Sequence, residues 1–491
     1  MRHIVSKIIV SFWLVTTVIS CSALSDATVA VDNNTNINPN YIGNGVQWDP
    51  YQLDYGEKQL KISPEDWQKL YSRLDFMKPQ FIRVMINTTS VIENGVLNEE
   101  KNYENIAPIL EYCQSRNVKV VLGDWGDRMV NSKTNAISEN NLKLAAQYLD
   151  FLVNKKGFNC IHYYNMINEP NGYWAATDEN YDLWKNAAQY FSAQLKVLNL
   201  DQKVSLMGPD IAIWKTDKVD WITNSVKDLD ASIGVYDIHT YPSKITVNSG
   251  EYTSILKAYK DAVPAGKPIV MGEIGFKFVE KQDEVLMNEN IARAKAKPYA
   301  SVEDSQMFVY DYVYGSDMAD ALIQTINAGY SGSIAWMLDD AMHAREQKNK
   351  LKVWGFWNIL GDEYFGKEEE VVRPWFYSWS LLTKYMPSGC QVHKVSVNGN
   401  PNIKAVSISK DGKNMIAIVN VSAKEIKISL TSKELQVLSN VKRFVYAKNK
   451  LKLEGDHNLL PNKTNITLYL KKKIIETIPA EGLLVLTNFE Y

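Results

Sequence analysis

The sequence predicts an α/β protein, a (β/α)8 TIM barrel followed by a C-terminal antiparallel β-sandwich domain, and three observations point there. Short apolar runs alternate with longer amphipathic stretches from residue 41 to about residue 385. The residues that carry chemistry stand where the apolar runs stop. After residue 387 the texture changes to short alternating runs separated by Gly, Asn, Asp and Lys. At 491 residues the chain is long enough for one large domain and a smaller companion.

The chain begins with a basic start at Arg2 and Lys7, an apolar stretch from Ile8 to Ile19, and the sequence Val18-Ile19-Ser20-Cys21. This reads as a secretory signal over residues 1–21, too short for a comfortable membrane span, ending in a bacterial lipoprotein box. Cys21 is then lipidated and becomes the new N-terminus; ordinary signal cleavage a few residues later is the alternative. Residues 22–38, rich in Ser, Asp and Asn, are expected to form a flexible tether to a membrane outside the cytoplasm.

The barrel is expected over residues 39–387. Its strands are read at 41–48, 81–86 (FIRVMI), 118–124, 161–167 (IHYYNMI), 204–208 (VSLMG), 233–240, 268–273 and 333–338. Helical periodicity fills the intervals, as at 63–77, where Ser63 offers an N-cap with Asp66 three residues on. Runs such as KAVSISKDGKNMIAIVNVS and GLLVLTN make residues 388–491 the sandwich.

With 54 Lys and Arg against 56 Asp and Glu, the net charge of -2 gives no basis for nucleic-acid or membrane-surface binding through bulk charge. Membrane association is expected only through the lipid anchor. Cys113, Cys160 and Cys390 are far apart and without CxxC spacing, so neither a disulfide framework nor a zinc site is expected. The six histidines are scattered and no HExxH occurs, so no metal is expected; no GxGxxG precedes a helix, so no cofactor is expected either.

Chemistry in such a barrel sits at the C-terminal ends of the strands. There the chain places Arg83 and Asn87 on the second strand, Asp124 and Trp125 on the third, and Asn168 and Glu169 on the fourth. His239 and Tyr241 end the sixth, Glu273 the seventh, and Trp336 belongs to the eighth. Two carboxylates from different strands would face each other across the barrel mouth. Cleavage of a glycosidic bond needs such a pair, one protonated to donate to the leaving oxygen and one ionised to attack the anomeric carbon. Arg83 and the Tyr241 hydroxyl are placed to hold Glu273 ionised, whereas Glu169 has no cationic neighbour in sequence and repulsion between the pair favours a proton there. Glu273 is therefore expected to be the nucleophile and Glu169 the acid/base. Surface glutamates are common on barrels, so the pair carries more weight than either member.

The motifs "NEP" at the fourth strand, "HTY" at the sixth, "GEIG" at the seventh and Trp336 at the eighth resemble the clan A retaining glycoside hydrolases. Within the clan the likeness is closest to the cellulase family, glycoside hydrolase family 5, with features of families 39 and 30. The resemblance implies that Asn168 bonds the sugar 2-hydroxyl, that Tyr241 bonds Glu273 and that Arg83 supports it from beneath. It further implies that His239 touches the acid/base or a sugar hydroxyl and that Trp336 floors the glycone subsite. The cellulase family often has a His near the end of the third strand, where this chain has Asp124, Trp125 and Asp127.

Trp48, Trp125, Trp174, Trp354 and Trp357 are candidates for stacking on sugar rings, and packing in the core is the competing use of each. Long stretches after the seventh and eighth strands, at 276–304 and 339–372, would wall in one end of a cleft or form a lid. With no Trp after Trp379, the sandwich is expected to support the barrel. The expected partner is a β-linked poly- or oligosaccharide. The competing readings are a non-catalytic surface glycan-binding protein, which has no need of the carboxylate pair, and a transglycosylase, which differs only in its acceptor.

Overall fold

The structure, a computed structural model, describes residues 25–51, 54–55, 58–59, 61–344 and 350–491. Cys21 and the signal segment lie outside the described residues. No described helix is long and apolar enough to cross a membrane.

Eight parallel strands close the barrel: Gly45–Gln47, Phe81–Ile86, Lys119–Asp124, Ile161–Asn165, Ser205–Ala212, Ile233–Thr240, Ile269–Ile274 and Ser333–Ala335. The eighth pairs back onto the first, Ala335 beside Val46. Helices alternate with these strands, which are buried on both faces and therefore read as near-continuous apolar runs. Helix Pro64–Met77 starts as its sequence predicts, with the Ser63 hydroxyl accepting from the Asp66 N–H and the Asp66 carboxylate accepting from the Ser63 N–H, each at 3.1 Å.

The barrel interior is layered. Phe81, Val121, Met207, Val235, Val270 and Ile334 fill its lower part with apolar side chains. Two residues further along, the pleat turns Arg83 and Asp237 to the same interior, and the polar site rests on that apolar floor. The opposite faces of the strands pack under the helices in the main hydrophobic core.

The expected tether is corrected in part. Residues Ala27–Asn38 form a strand that lies between Gln391–Asn398, antiparallel, and Ile426–Ser432, parallel. Ala27, Val29 and Val31 are buried while Thr28 and Ala30 face outward, so a period-two apolar face drives the segment into the sheet. The second domain is thus discontinuous, joining residues 27–38 to the chain after residue 388. Nine of its described strands form one mostly antiparallel sheet, folded over so that Ile474–Ile478 approaches Lys413–Asn420 and Gly482–Thr487 around an apolar core.

This domain is held against the barrel by a salt bridge of 2.8 Å between Arg73 and Asp456 and by the Tyr446 hydroxyl donating to the Tyr312 carbonyl at 2.7 Å. The three cysteines outside the signal segment are free and buried.

The described part of the long stretch after the eighth strand is a packed wall. Asp339 accepts from the Tyr51 hydroxyl, the Trp357 indole and the Ala341 and Ile359 N–H groups, and Asp340 pairs with Arg373 at 2.6 Å. Bonds of this kind, buried, hold a loop in one place.

Candidate active site

The fourth strand stops earlier than its apolar run. Its ladder ends at Asn165, whose side-chain oxygen accepts from the Ile167 N–H at 3.1 Å and turns the chain out of the sheet. Glu169 therefore stands beyond the strand end, in a left-handed backbone conformation with φ 46. Its own N–H points at Asp210 Oδ2, 3.4 Å away. Conformations of this kind cost energy for a residue with a Cβ and persist where the surroundings fix them.

Glu273 lies in the seventh strand, with His239 opposite it in the sixth. One carboxylate oxygen accepts from the Tyr241 hydroxyl and the other from Arg83 Nη1 at 2.8 Å. The Glu273 carboxyl stands above its ordinary value: burial, and to a lesser degree Glu169, push it up by more than His239, Arg83 and the Tyr241 hydroxyl pull it down, so these partners offset burial without lowering the group below the usual carboxylate range. Arg83 is completely buried and its fork reaches four partners: Glu273, Gln47 at 2.7 Å, Asn168 at 2.8 Å and Asp210 at 3.0 Å. A planar fork can hold all four at fixed angles, which an ammonium cannot. One oxygen each of Glu169 and Glu273 and a ring nitrogen of His239 lie within 4.8 Å of one another.

Sequence reasoning missed the layer beneath. The fifth strand runs past Gly208 and Pro209 to Ala212 and carries Asp210 into the barrel, also in a left-handed conformation at φ 59. The signal was present, since the apolar run resumes at Ile211 and continues to Ile213. His239 sits between acids: Nδ1 is 3.2 Å from Glu169 Oε1 and Nε2 is 2.8 Å from Asp210 Oδ1, the latter a close ion-pair contact outside hydrogen-bond geometry.

Burial disfavours the His239 cation, but Asp210 and Glu273 outweigh both burial and Arg83 and push it up to about 10. Burial likewise opposes the Asp210 charge, and Arg83 and His239 overcome it and hold that carboxyl well below the usual range. Asp237 lies beside them; burial and the Asp210 charge push it well up, so it stays neutral. Two cations, Arg83 and His239, then face the Asp210 anion and the Glu273 carboxyl. A side chain at Gly272 would crowd this group, since a Cβ there would lie 2.7 Å from Asp237 Oδ2.

The site opens into a cleft of about 1740 Å³ lined by Asn168, Glu169, Tyr241, Glu273, Trp125 and Trp336 among others. Trp354 reaches it beside Tyr241, at 5.4 Å between ring centroids. Trp174 is half exposed there, and its indole N–H donates to Glu169 Oε2 at 2.9 Å.

Two of the expected stacking residues belong to the core instead. Trp48 is fully buried because its neighbour Gln47 takes the inward position, which turns the indole outward onto Trp67 and Tyr71 of helix Pro64–Met77 and onto Tyr112. Trp357 is buried too, with its N–H on Asp339. Asp124 is structural: it accepts from the Thr88 and Gly126 N–H groups and the Tyr164 hydroxyl, and burial pushes it up to about 6.

Two triads have the spacing of a metal site, Glu169 with His239 and Glu273, and Asp210 with Asp237 and His239. Neither suits a cation. Arg83 bonds both Glu273 and Asp210, and the charge it places there repels a second positive centre.

A family model described as cellulase, glycosyl hydrolase family 5, matches residues 40–305. No curated protein matches the chain in sequence. Among solved structures it resembles a glycoside hydrolase family 30 subfamily 8 xylanase from Clostridium acetobutylicum, with 12% identity, TM-score 0.64, and 94% of this chain and 99% of that one covered. An α-L-arabinofuranosidase from Thermotoga maritima aligns at 15% identity, TM-score 0.63, over 94% and 99% of the two chains. A family 39 β-xylosidase from Caulobacter crescentus aligns at 12% identity, TM-score 0.57, over 94% and 100%. These structural likenesses concern the fold, barrel and second domain together.

Proposed function

The chain belongs to the cellulase family, glycosyl hydrolase family 5, and is a glycoside hydrolase; on that premise we propose that it cleaves a β-linked poly- or oligosaccharide by retaining double displacement. The observation that carries the reading is the closeness of the two carboxylates, an oxygen of each within 4.8 Å. Retention calls for about 5 to 5.5 Å between the groups, whereas inversion needs about 6.5 to 9.5 Å to admit a water.

In the first step Glu273 attacks the anomeric carbon and Glu169 gives a proton to the departing oxygen, leaving a glycosyl ester on Glu273. In the second step Glu169 takes a proton from water, the water oxygen attacks the same carbon, and the Glu273 carboxylate departs. The Tyr241 hydroxyl and Arg83 favour that departure because their bonds are strongest to the ionised carboxylate. Asn168 is oriented by Arg83 toward the sugar 2-hydroxyl, with Trp336 as floor and Trp125 as a wall of the subsite.

Export and a lipid anchor at Cys21, on the periplasmic or outer side of a bacterial membrane, belong to the same proposal. Asp26 already bonds the sheet, its N–H donating to the Lys427 carbonyl at 2.8 Å, so only residues 22–25 separate Cys21 from it. Four residues reach at most about 14 Å, which would hold the second domain next to the bilayer.

The test is hydrolysis across aryl β-glycosides and β-linked polysaccharides, beside Glu273→Ala and Glu169→Ala. Activity in the parent, its loss in Glu273→Ala, and a β-glycosyl azide from Glu169→Ala with added azide are expected. An α-configured azide product would overturn retention. A parent that binds a polysaccharide without cleaving it would leave the glycan-binding reading in its place.

A further inference from the structure

Gln47 and Asp49 stand on either side of Trp48 at the end of the first strand, both buried, and neither lines the cleft. They are tied to the proposed nucleophile by a chain of hydrogen bonds. Gln47 Nε2 donates to Asp49 Oδ2 at 2.9 Å, Gln47 Oε1 accepts from Arg83 Nη1 at 2.7 Å, and the same Nη1 donates to Glu273 Oε2 at 2.8 Å. Asp49 is fixed in turn by the strand that carries Arg83, its Oδ1 accepting from the Met85 N–H at 2.8 Å.

Each terminal nitrogen of Arg83 carries two hydrogens, and all four are in use: Nη1 serves Gln47 and Glu273, and Nη2 serves Asn168 and Asp210. Nε is buried without a hydrogen-bond partner among the described residues, so the fork is held by these four bonds. The Gln47 amide has nearly the same shape either way round. With Nε2 toward Asp49, its oxygen meets the guanidinium; reversed, its NH2 would meet that cation and Nη1 would lose an acceptor. Both Asp49 oxygens face N–H donors, and the Met85 donor is backbone and cannot turn. Burial pushes the Asp49 carboxyl up to about 7 against the pull of Gln47, Met85 and Arg83, and each oxygen keeps a lone pair for its donor in either form.

We propose that Asp49 and Gln47 are positioning residues for the nucleophile: Asp49 fixes which way round the Gln47 amide stands, and the amide oxygen turns Arg83 so that Nη1 meets Glu273. This rests on the role proposed for Glu273. A nucleophile that must meet the anomeric carbon at a set distance and angle loses rate when its support swings, even with its charges in place. The two residues act through Arg83, since neither reaches the cleft. Asp49→Asn sets an NH2 group among donors. The new amide oxygen stays with the Met85 N–H, its NH2 faces Gln47, and Gln47 turns over and presents its own NH2 to Arg83. Adding Gln47→Glu repairs the chain, because a carboxylate accepts from the new asparagine on one side and from Arg83 on the other.

The experiment compares the parent, Asp49→Asn and Asp49→Asn/Gln47→Glu on 2,4-dinitrophenyl β-glycosides, whose departure needs no proton, so that a loss there belongs to the nucleophile and not to Glu169. Asp49→Asn is expected to lose about tenfold in kcat/KM, and the double variant to recover at least about threefold of that loss. Gln47→Met, which keeps the length of the side chain and removes the acceptor, should lose a factor similar to that of Asp49→Asn. Crystal structures should show Nη1 drawn away from Glu273 in Asp49→Asn and returned to it in the double variant.

Parental kcat/KM in Asp49→Asn or Gln47→Met, or a double variant no better than Asp49→Asn, would overturn the proposal, as would an Arg83 that keeps its bond to Glu273 in the Asp49→Asn structure. If the parent cleaves no glycoside while the structures show Arg83 displaced and returned, the hydrolase mechanism fails and the positioning stands.

Discussion

Asp210 lies 2.8 Å from Nε2 of His239, and the other nitrogen of that ring is 3.2 Å from Glu169. One buried carboxylate therefore sets the charge of the ring that touches the proposed acid/base. The groups facing His239 are Asp210, Asp237, Glu169, Glu273 and Arg83. Removing the Asp210 charge leaves Arg83 less opposed, so the His239 pKa falls from about 10 toward its ordinary value. In Asp210→Asn the His239 ring is expected to lose its proton at lower pH than in the parent, which an NMR titration of the imidazole in both proteins measures. An unmoved ring titration would assign Asp210 to packing alone.

The same pair carries a stability signature. A group whose folded pKa is raised stabilises fully below its unfolded pKa and loses that contribution as pH rises through the folded one. For His239 the loss runs from about 6.5 to about 10. The thermal stability of the parent should therefore fall as pH rises across that window, and the slope should flatten in Asp210→Asn.

Arg83→Lys keeps a positive charge and loses the fork that reaches Glu273, Gln47, Asn168 and Asp210. The expected result is a fall in kcat/KM of about 100-fold or more, because the nucleophile and Asn168 are no longer held together. Arg83→Met should in addition lower stability by about 3 to 5 kcal/mol, since it strands the buried Asp210 and Glu273 carboxylates. Denaturant midpoints of the two variants separate the effects.

The barrel was legible in the sequence because strands buried on both faces read as apolar runs, and the site was legible because polar residues interrupt those runs at their ends. The layer under it was not. Ending the fifth strand at residue 208 hid Asp210, although the apolar run resumes at Ile211, and Asp237 stood in view inside the apolar IGVYDIHT. Trp48 misled for a geometric reason: position at a strand end does not say which face a side chain takes, and Gln47 already holds the inward one. Accordingly Trp48→Ala should cost about 3 to 5 kcal/mol of stability, read from the denaturant midpoint, with KM for the cleaved saccharide changed by less than about twofold in the folded fraction.

Composition also misdirected the reading of residues 27–38. Asn, Asp and Thr dominate the stretch, yet Ala27, Val29 and Val31 alternate at the period of a strand and join the buried core of the second domain. The segment sits between two other strands rather than at an edge, so its removal would leave Gln391–Asn398 and Ile426–Ser432 each with an unpaired edge inside the sheet. It also anchors the barrel, since Asn38 donates to the Gly329 and Tyr330 carbonyls at 3.2 and 3.0 Å. A leash tolerates shortening, and an interior strand does not. Deletion through residue 24 is therefore expected to leave the unfolding transition in place, whereas deletion through residue 38 should abolish cooperative unfolding and release insoluble protein. Circular dichroism melts of the two truncations check this, and a deletion through residue 38 that melted like the parent would return the segment to the status of a tether.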